Sequence, residues 1–338
     1  MGASFVGGSP IPPRSAGRAI RIGSSRDVQR VWRDVGRHSK GRKAQEPSRA
    51  TSQLLAEKSS TSLRSFVEAL AFPRHFIAEP AANRRARDML LRLSGGFGYE
   101  PFLQGEHDNI VMTSPGPADR PRLLLGAHYD SVPGTPGADD NASALSVCLE
   151  CARLIQRHRI PSAMIVFFNR EEDGFLGSKE FVAQLQKQAA YRVREAHIFE
   201  MVGYRDRRPK SQRMPPGLPP LPVPDTGDFL GLLANQGSNA IAEEMLDLAA
   251  CYTPELPVFG LKVFLGMERF FGDLNRSDHT PFWQAGIPAI MWTDTSEFRN
   301  PHYHGTSDTP DTLDYEFMSD VAKLALARVV ASQPQPVP

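Results

Sequence analysis

At 338 residues, 41% hydrophobic and 23% charged, the chain has the composition of a globular protein with room for one large α/β domain. Its net charge of +1 hides an asymmetry: residues 1–50 hold 11 Lys/Arg against 3 Asp/Glu (+8), and the rest holds 28 against 35 (−7). That balance argues against a nucleic-acid-binding body, and no run approaches the ~18 apolar residues of a membrane span, so neither partner is expected.

Residues 1–60 are rich in Gly, Ser, Pro and Arg without sustained period, which predicts a basic extension with little packed structure. They contain no hydrophobic secretory segment, so a cytoplasmic location is the expectation. Residues 61–332 read as a single catalytic domain and 333–338 as a tail. From Leu63 to Leu93 apolar residues recur at helical spacing, interrupted at Pro73 and Pro80 and stopped by Gly95 and Gly96. Strands and helices then alternate. Asn109–Thr113, Leu123–Ala127, Ala163–Asn169, His197–Val202, Asp228–Leu233 and Ile287–Thr293 read as strands. Ala142–Arg157, Gly177–Lys187, Ser238–Ala250 and Asp314–Ser332 read as helices. The pattern predicts a three-layer αβα sandwich, a mixed and mostly parallel sheet with helices on both faces. Cys148 and Cys151 fall inside a helix, as small buried side chains rather than a redox pair, and with Cys251 they form no disulfide framework. Residues 209–224 carry seven prolines in sixteen positions and therefore form a surface insertion, either a lid or a plain loop.

Metal-capable side chains follow the apolar strands: His128 after LLLGA, Glu171 and Glu172 after IVFFNR, Glu200 within HIFEMVGY, and His304 beyond IMWTD. Asp140 lies on the first long loop. In open α/β sheets ligands bind beyond the carboxyl ends of the strands, so these positions are expected to converge, and imidazole with carboxylate suits zinc. Spacing does not choose between His302 and His304. Ser277-Asp278-His279 is no hydrolase triad, because three consecutive residues cannot converge on one atom. Asp278 is read as a residue that supports the ligands or binds substrate, with His279 left open.

The motifs GAHYDS, PGADDNAS, NREEDGFLGS, EMVGY, SDH and NPHYHGTSDT, in that order over Leu63 to Ser332, resemble the co-catalytic dizinc exopeptidases. That family contains bacterial aminopeptidases, glutamate carboxypeptidases and glutaminyl cyclases. The resemblance implies Asp140 as the carboxylate bridging two zincs, His128 and Glu200 on one metal, and Glu172 and His304 on the other. It implies Glu171 as general acid/base, Asp130 behind His128, and a cis peptide after Asp140. The implied activity is zinc-dependent hydrolysis next to the free N-terminus of a peptide. Glu200 departs from the pattern, since many members have aspartate there. Two zincs are the expectation and one the alternative, which keeps a glutaminyl-peptide cyclotransferase open beside a carboxypeptidase or dipeptidase of the same family.

Overall fold

The structure, a computed structural model, describes residues 34–117, 120–187, 192–215 and 222–333. Before the main alternation lie β1 (Gly36–His38), α1 (Arg49–Leu55), α2 (Ser60–Leu70) and α3 (Pro80–Gly96). Ser59 caps α2 by accepting from the Ser62 N–H, and Pro80 opens α3, where its missing N–H costs no helix bond. Then come β2 (Phe102–Gln104), β3 (Asn109–Thr113), β4 (Arg122–His128), α4 (Ala144–Arg157), β5 (Ala163–Phe168), α5 (Leu176–Lys187) and β6 (Val193–Glu200). The last third supplies β7 (Leu230–Ala234), α6 (Asn239–Tyr252), β8 (Val258–Lys262), α7 (His279–Gln284), β9 (Ala289–Thr293) and α8 (Tyr315–Ala331).

The nine strands form one mixed sheet in the order β1-β8-β7-β9-β6-β4-β5-β3-β2. Its centre, β9-β6-β4-β5, is parallel throughout, in keeping with the apolar runs of β4, β5 and β9. Antiparallel β3–β5 and β7–β9 pairings end the parallel block on either side. Alternate side chains of the central strands enter different cores. Leu123, Leu125 and Ala127 pack with α2, α3, α4, α6 and α8, whereas Leu124, Val166 and Ile198 pack with Phe181 of α5 and Phe282 of α7. Among the described residues α1, through Leu55, joins these five helices on the first face, and α5 and α7 cover the other.

One expectation needs correction. Little packed structure was expected before residue 60, yet β1 pairs with β8, Leu55 is fully buried and Arg42 binds Glu243 and Asp247. Cross-strand hydrogen bonds and ion pairs hold this segment, and neither produces a hydrophobic period. Residues 1–33 lie outside the described residues, as do 216–221 of the proline-rich stretch and 334–338 of the tail. The rest of that stretch is tied down: Asp206 bridges to Gly227, the Gln212 N–H donates to the Asp225 carbonyl (3.0 Å), and the Arg213 N–H donates to the Phe298 carbonyl (2.8 Å).

Candidate metal centre

Three parallel strands stop at one rim. β4 ends on His128, and β6 ends on Glu200 because Met201 turns to positive φ (51°). β5 is followed by Arg170, also at positive φ (59°), which redirects the chain so that Glu171 and Glu172 return to the rim. His304 itself has φ 54°. Non-glycine residues in this region cost about 1–3 kcal/mol each, and here they flank the polar cluster. The loop after β4 turns at Gly137 (φ 61°), where a Cβ would lie 2.3 Å from the Asp140 carbonyl oxygen, so only glycine fits. The Asp140–Asn141 peptide is cis.

Asp140 sits between two imidazoles. Its Oδ1 is 3.2 Å from His128 Nε2, and its Oδ2 is 3.1 Å from His304 Nε2. Glu200 Oε2 lies 3.5 Å from His128 Nε2, and Glu172 Oε2 lies 3.8 Å from His304 Nε2. Three groups of ligand-capable atoms result, each within 4.8 Å of one another: His128–Asp140–Glu200 and Asp140–Glu172–His304, which share Asp140, and His128–Glu171–Glu172. His128 Nε2, Asp140 Oδ1 and Glu172 Oε1 are buried without a hydrogen-bond partner among the described residues. Atoms this close yet not aligned on each other are aimed at common points between them, and one nitrogen with two carboxylates is a donor set that fits zinc.

The electrostatics agree with that geometry. Burial works against a charged His128, but Glu200, Asp130, Asp140 and Glu171 more than offset it and hold the imidazole well above its usual value. Burial, aided by Glu200, Glu172 and Asp278 and opposed by His128, lifts Glu171 well above the carboxylate range. Burial likewise lifts Glu172. For Asp140 burial is outweighed by His128 and His304, which hold it low.

The loops are fastened to each other by buried aspartates that accept from backbone amides. Asp130 accepts from the Glu171 and Glu172 N–H groups (3.2 Å each), with its Oδ1 also 3.3 Å from His128 Nδ1. Asp308 accepts from Asp139 (2.8 Å) and Asp140 (3.2 Å). Asp139 accepts from the Gly203 N–H and the Asn300 side chain, joining the loops after β6 and β9. Beneath them Arg74, wholly buried, donates to the carbonyls of Phe72, Tyr129, Pro136 and Gly137. Ser277 donates to Glu200 Oε2 (2.7 Å), and Asp278 accepts from Ser178, burial raising it to about 7.

His302 turns away, its Nδ1 2.9 Å from Ser307 Oγ, and His279 packs edge-on against Trp283 with Nε2 on the Leu274 carbonyl. Sequence reasoning missed Arg74, Asp139, Asp308, Ser277 and Tyr303. All but Arg74 had a signal, since Asp139, Ser277, Tyr303 and Asp308 lie inside quoted motifs. Tyr303 stacks on His304 (3.7 Å, 22°) and accepts from Arg276 (3.0 Å). An apolar cavity of about 140 Å³ opens beside Glu200, walled by Phe229, Leu233, Phe259, Leu261 and Met291, with Arg276 and Tyr303 in its lining.

A mixed sheet with these carboxylates and imidazoles at one rim has the architecture of a metallopeptidase. The chain belongs to peptidase family M28, whose family model matches residues 109–227 and 260–329. It is 36% identical to the uncharacterized protein YfbL of Escherichia coli over 233 residues, 65% of this chain and 70% of that protein. It is 29% identical to a probable zinc metalloprotease of Pyrenophora tritici-repentis over 245 residues, 65% and 50% of the two chains. With aminopeptidase YwaD of Bacillus subtilis it shares 29% over 213 residues, 61% and 40%. The chain thus spans about half the length of these last two relatives. Among solved structures, the Legionella pneumophila LapA aminopeptidase superposes with a TM-score of 0.66 at 20% identity, covering 87% of this chain and 76% of that one. Among the described residues no helix is long and apolar enough to cross a membrane.

Proposed function

We propose that the chain is a zinc aminopeptidase that removes apolar residues from the free N-termini of peptides. The observation that carries this reading is the placing of Asp140, with one carboxylate oxygen toward His128 and the other toward His304. A shared carboxylate between two donor sets suits two zinc ions. His128, Asp140 and Glu200 would hold one, and Asp140, Glu172 and His304 the other. Glu200 is a methylene longer than aspartate, yet its Oε2 reaches the first donor set, held by Ser277. Zinc, when bound, supplies Lewis acidity that polarises the scissile carbonyl and lowers the pKa of water toward ~7.

The remaining work falls to the chain. Glu171 accepts a proton from the attacking water as its oxygen bonds to the peptide carbon. It then returns that proton to the departing amine nitrogen as the C–N bond breaks. A carboxyl group raised by burial is suited to both steps, because it holds the proton between them. Asp130 fixes the Glu171 and Glu172 backbone, so the base and its neighbour keep their separate directions. The apolar cavity next to Glu200 receives the N-terminal side chain. The names of the zinc metalloprotease and YwaD relatives support metal and reaction class.

The test is purified protein with zinc, a panel of aminoacyl-nitroanilides and an N-terminal glutaminyl peptide. Leu and Phe substrates should turn over faster than Asp or Lys ones, with free amino acid as product. Ammonia release from the glutaminyl peptide without amino-acid release would assign a cyclotransferase instead.

A further inference from the structure

We propose that the N-terminal strand β1 backs the substrate-selecting wall, with Gly36 setting how far Phe259 withdraws from the cavity. This rests on the aminopeptidase reading for the cavity's use, though not for its shape. β1 lies antiparallel to β8 with Gly36 opposite Leu261 and His38 opposite Phe259, and both β8 residues line the cavity. The pleat sends Gly36 and His38 toward the cavity face and Arg37 toward α6, where it approaches Glu243 (3.7 Å).

No room remains at Gly36 for a side chain. A Cβ there would lie 2.7 Å from Pro222 Cγ and 2.8 Å from Phe259 Cζ. The Phe259 ring therefore occupies space that any other residue at 36 would claim. Its flanks are closed by His38 (5.0 Å between ring centres) and Phe229 (6.0 Å). The cavity is the open space beside the Phe259 ring, and Val223, next in the chain to Pro222, lines the same cavity. The strand is fastened where this matters. Ser39 exchanges hydrogen bonds with Val258, donating to its carbonyl (3.0 Å) and accepting from its N–H (3.1 Å). Beyond it, Arg42 is pinned by Glu243 and Asp247 (2.6 Å each). In a cavity of about 140 Å³, a ring displaced by one or two carbons decides between a large and a small occupant.

The experiment compares wild type, Gly36→Val and the double variant Gly36→Val with Phe259→Leu, each full-length and zinc-loaded. Two readouts are taken: the kcat/KM ratio for Phe- over Ala-nitroanilide, and the calorimetric affinity ratio for free phenylalanine over alanine. Gly36→Val should lower both ratios about tenfold, and the second substitution, which removes the ring, should recover them. Unchanged ratios in a variant with a cooperative melt would overturn the proposal. If Gly36→Val does not fold, Gly36→Ala, which adds one carbon at 2.7–2.8 Å from its neighbours, decides by the same measures. Wild type that hydrolyses no nitroanilide would remove the aminopeptidase reading alone, and the affinity ratio would still decide what Gly36 does.

Discussion

Glu171 and Glu172 are adjacent in the chain and divide their duties by direction. Glu172 approaches His304, whereas Glu171 lies by His128 under the charges of Glu200 and Asp278. Glu171→Gln should therefore keep its zinc, measured by mass spectrometry, while kcat falls about 10²–10⁴-fold; full turnover would remove Glu171 as the acid/base. His128, Glu171 and Glu172 were legible because each combines a metal-capable side chain with the end of an apolar run, as in LLLGAH and IVFFNREE, whereas Asp140 on its loop was assigned through the family resemblance. His304 needed the family resemblance to separate it from His302, and the structure supplies the geometric difference: only His304 faces Asp140. Arg74 was not legible. Its side-chain partners are backbone carbonyls, whose positions no residue pattern encodes.

At the scale of elements, β4, β5 and β9 could be read from sequence because burial on both faces leaves an apolar run, whereas β6 (VREAHIFE) was placed at His197–Val202 and its first four residues were missed because Arg194 and Glu195 interrupt the run. β8 could not be read, since Gly260 splits VFGLK, and β1 (GRH) has no apolar residue at all. Arg74 joins the segment before α3 to the loop after β4. Arg74→Met should cost about 2–4 kcal/mol in denaturant unfolding, because it strips donors from buried carbonyls, and should also weaken zinc binding. Arg328 of α8 plays the matching part on β6, donating through Nε and Nη2 to Glu195 (2.8 Å each). Burial alone would raise Glu195, but His197 and Arg328 hold it below the usual carboxylate range. A folded-state pKa below the unfolded value of about 4.3 stabilises at neutral pH, and this contribution is lost as pH falls below that value. Arg328→Met leaves a buried, poorly compensated carboxylate. It should lose about 3 kcal/mol at pH 7 and regain part of that as the medium is acidified toward pH 5, where the wild-type Glu195 contribution is still intact. Parallel slopes in urea melts at pH 7 and 5 would contradict this.

For the whole molecule, four loops from distant parts of the chain meet at one rim crowded with carboxylates, and cations placed there relieve the repulsion. Zinc at a thousandfold excess over its Kd adds about 4 kcal/mol per site by mass action. Chelation should thus lower Tm by roughly 10 °C, and readded zinc should restore it. The measurement that bears most directly on a shared Asp140 is zinc stoichiometry by native mass spectrometry, on wild type and Asp140→Ala. Two zinc ions per chain are expected in wild type, and loss of both, with activity, in the variant. One zinc or none in active wild type, or two retained without the Asp140 carboxylate, would contradict it.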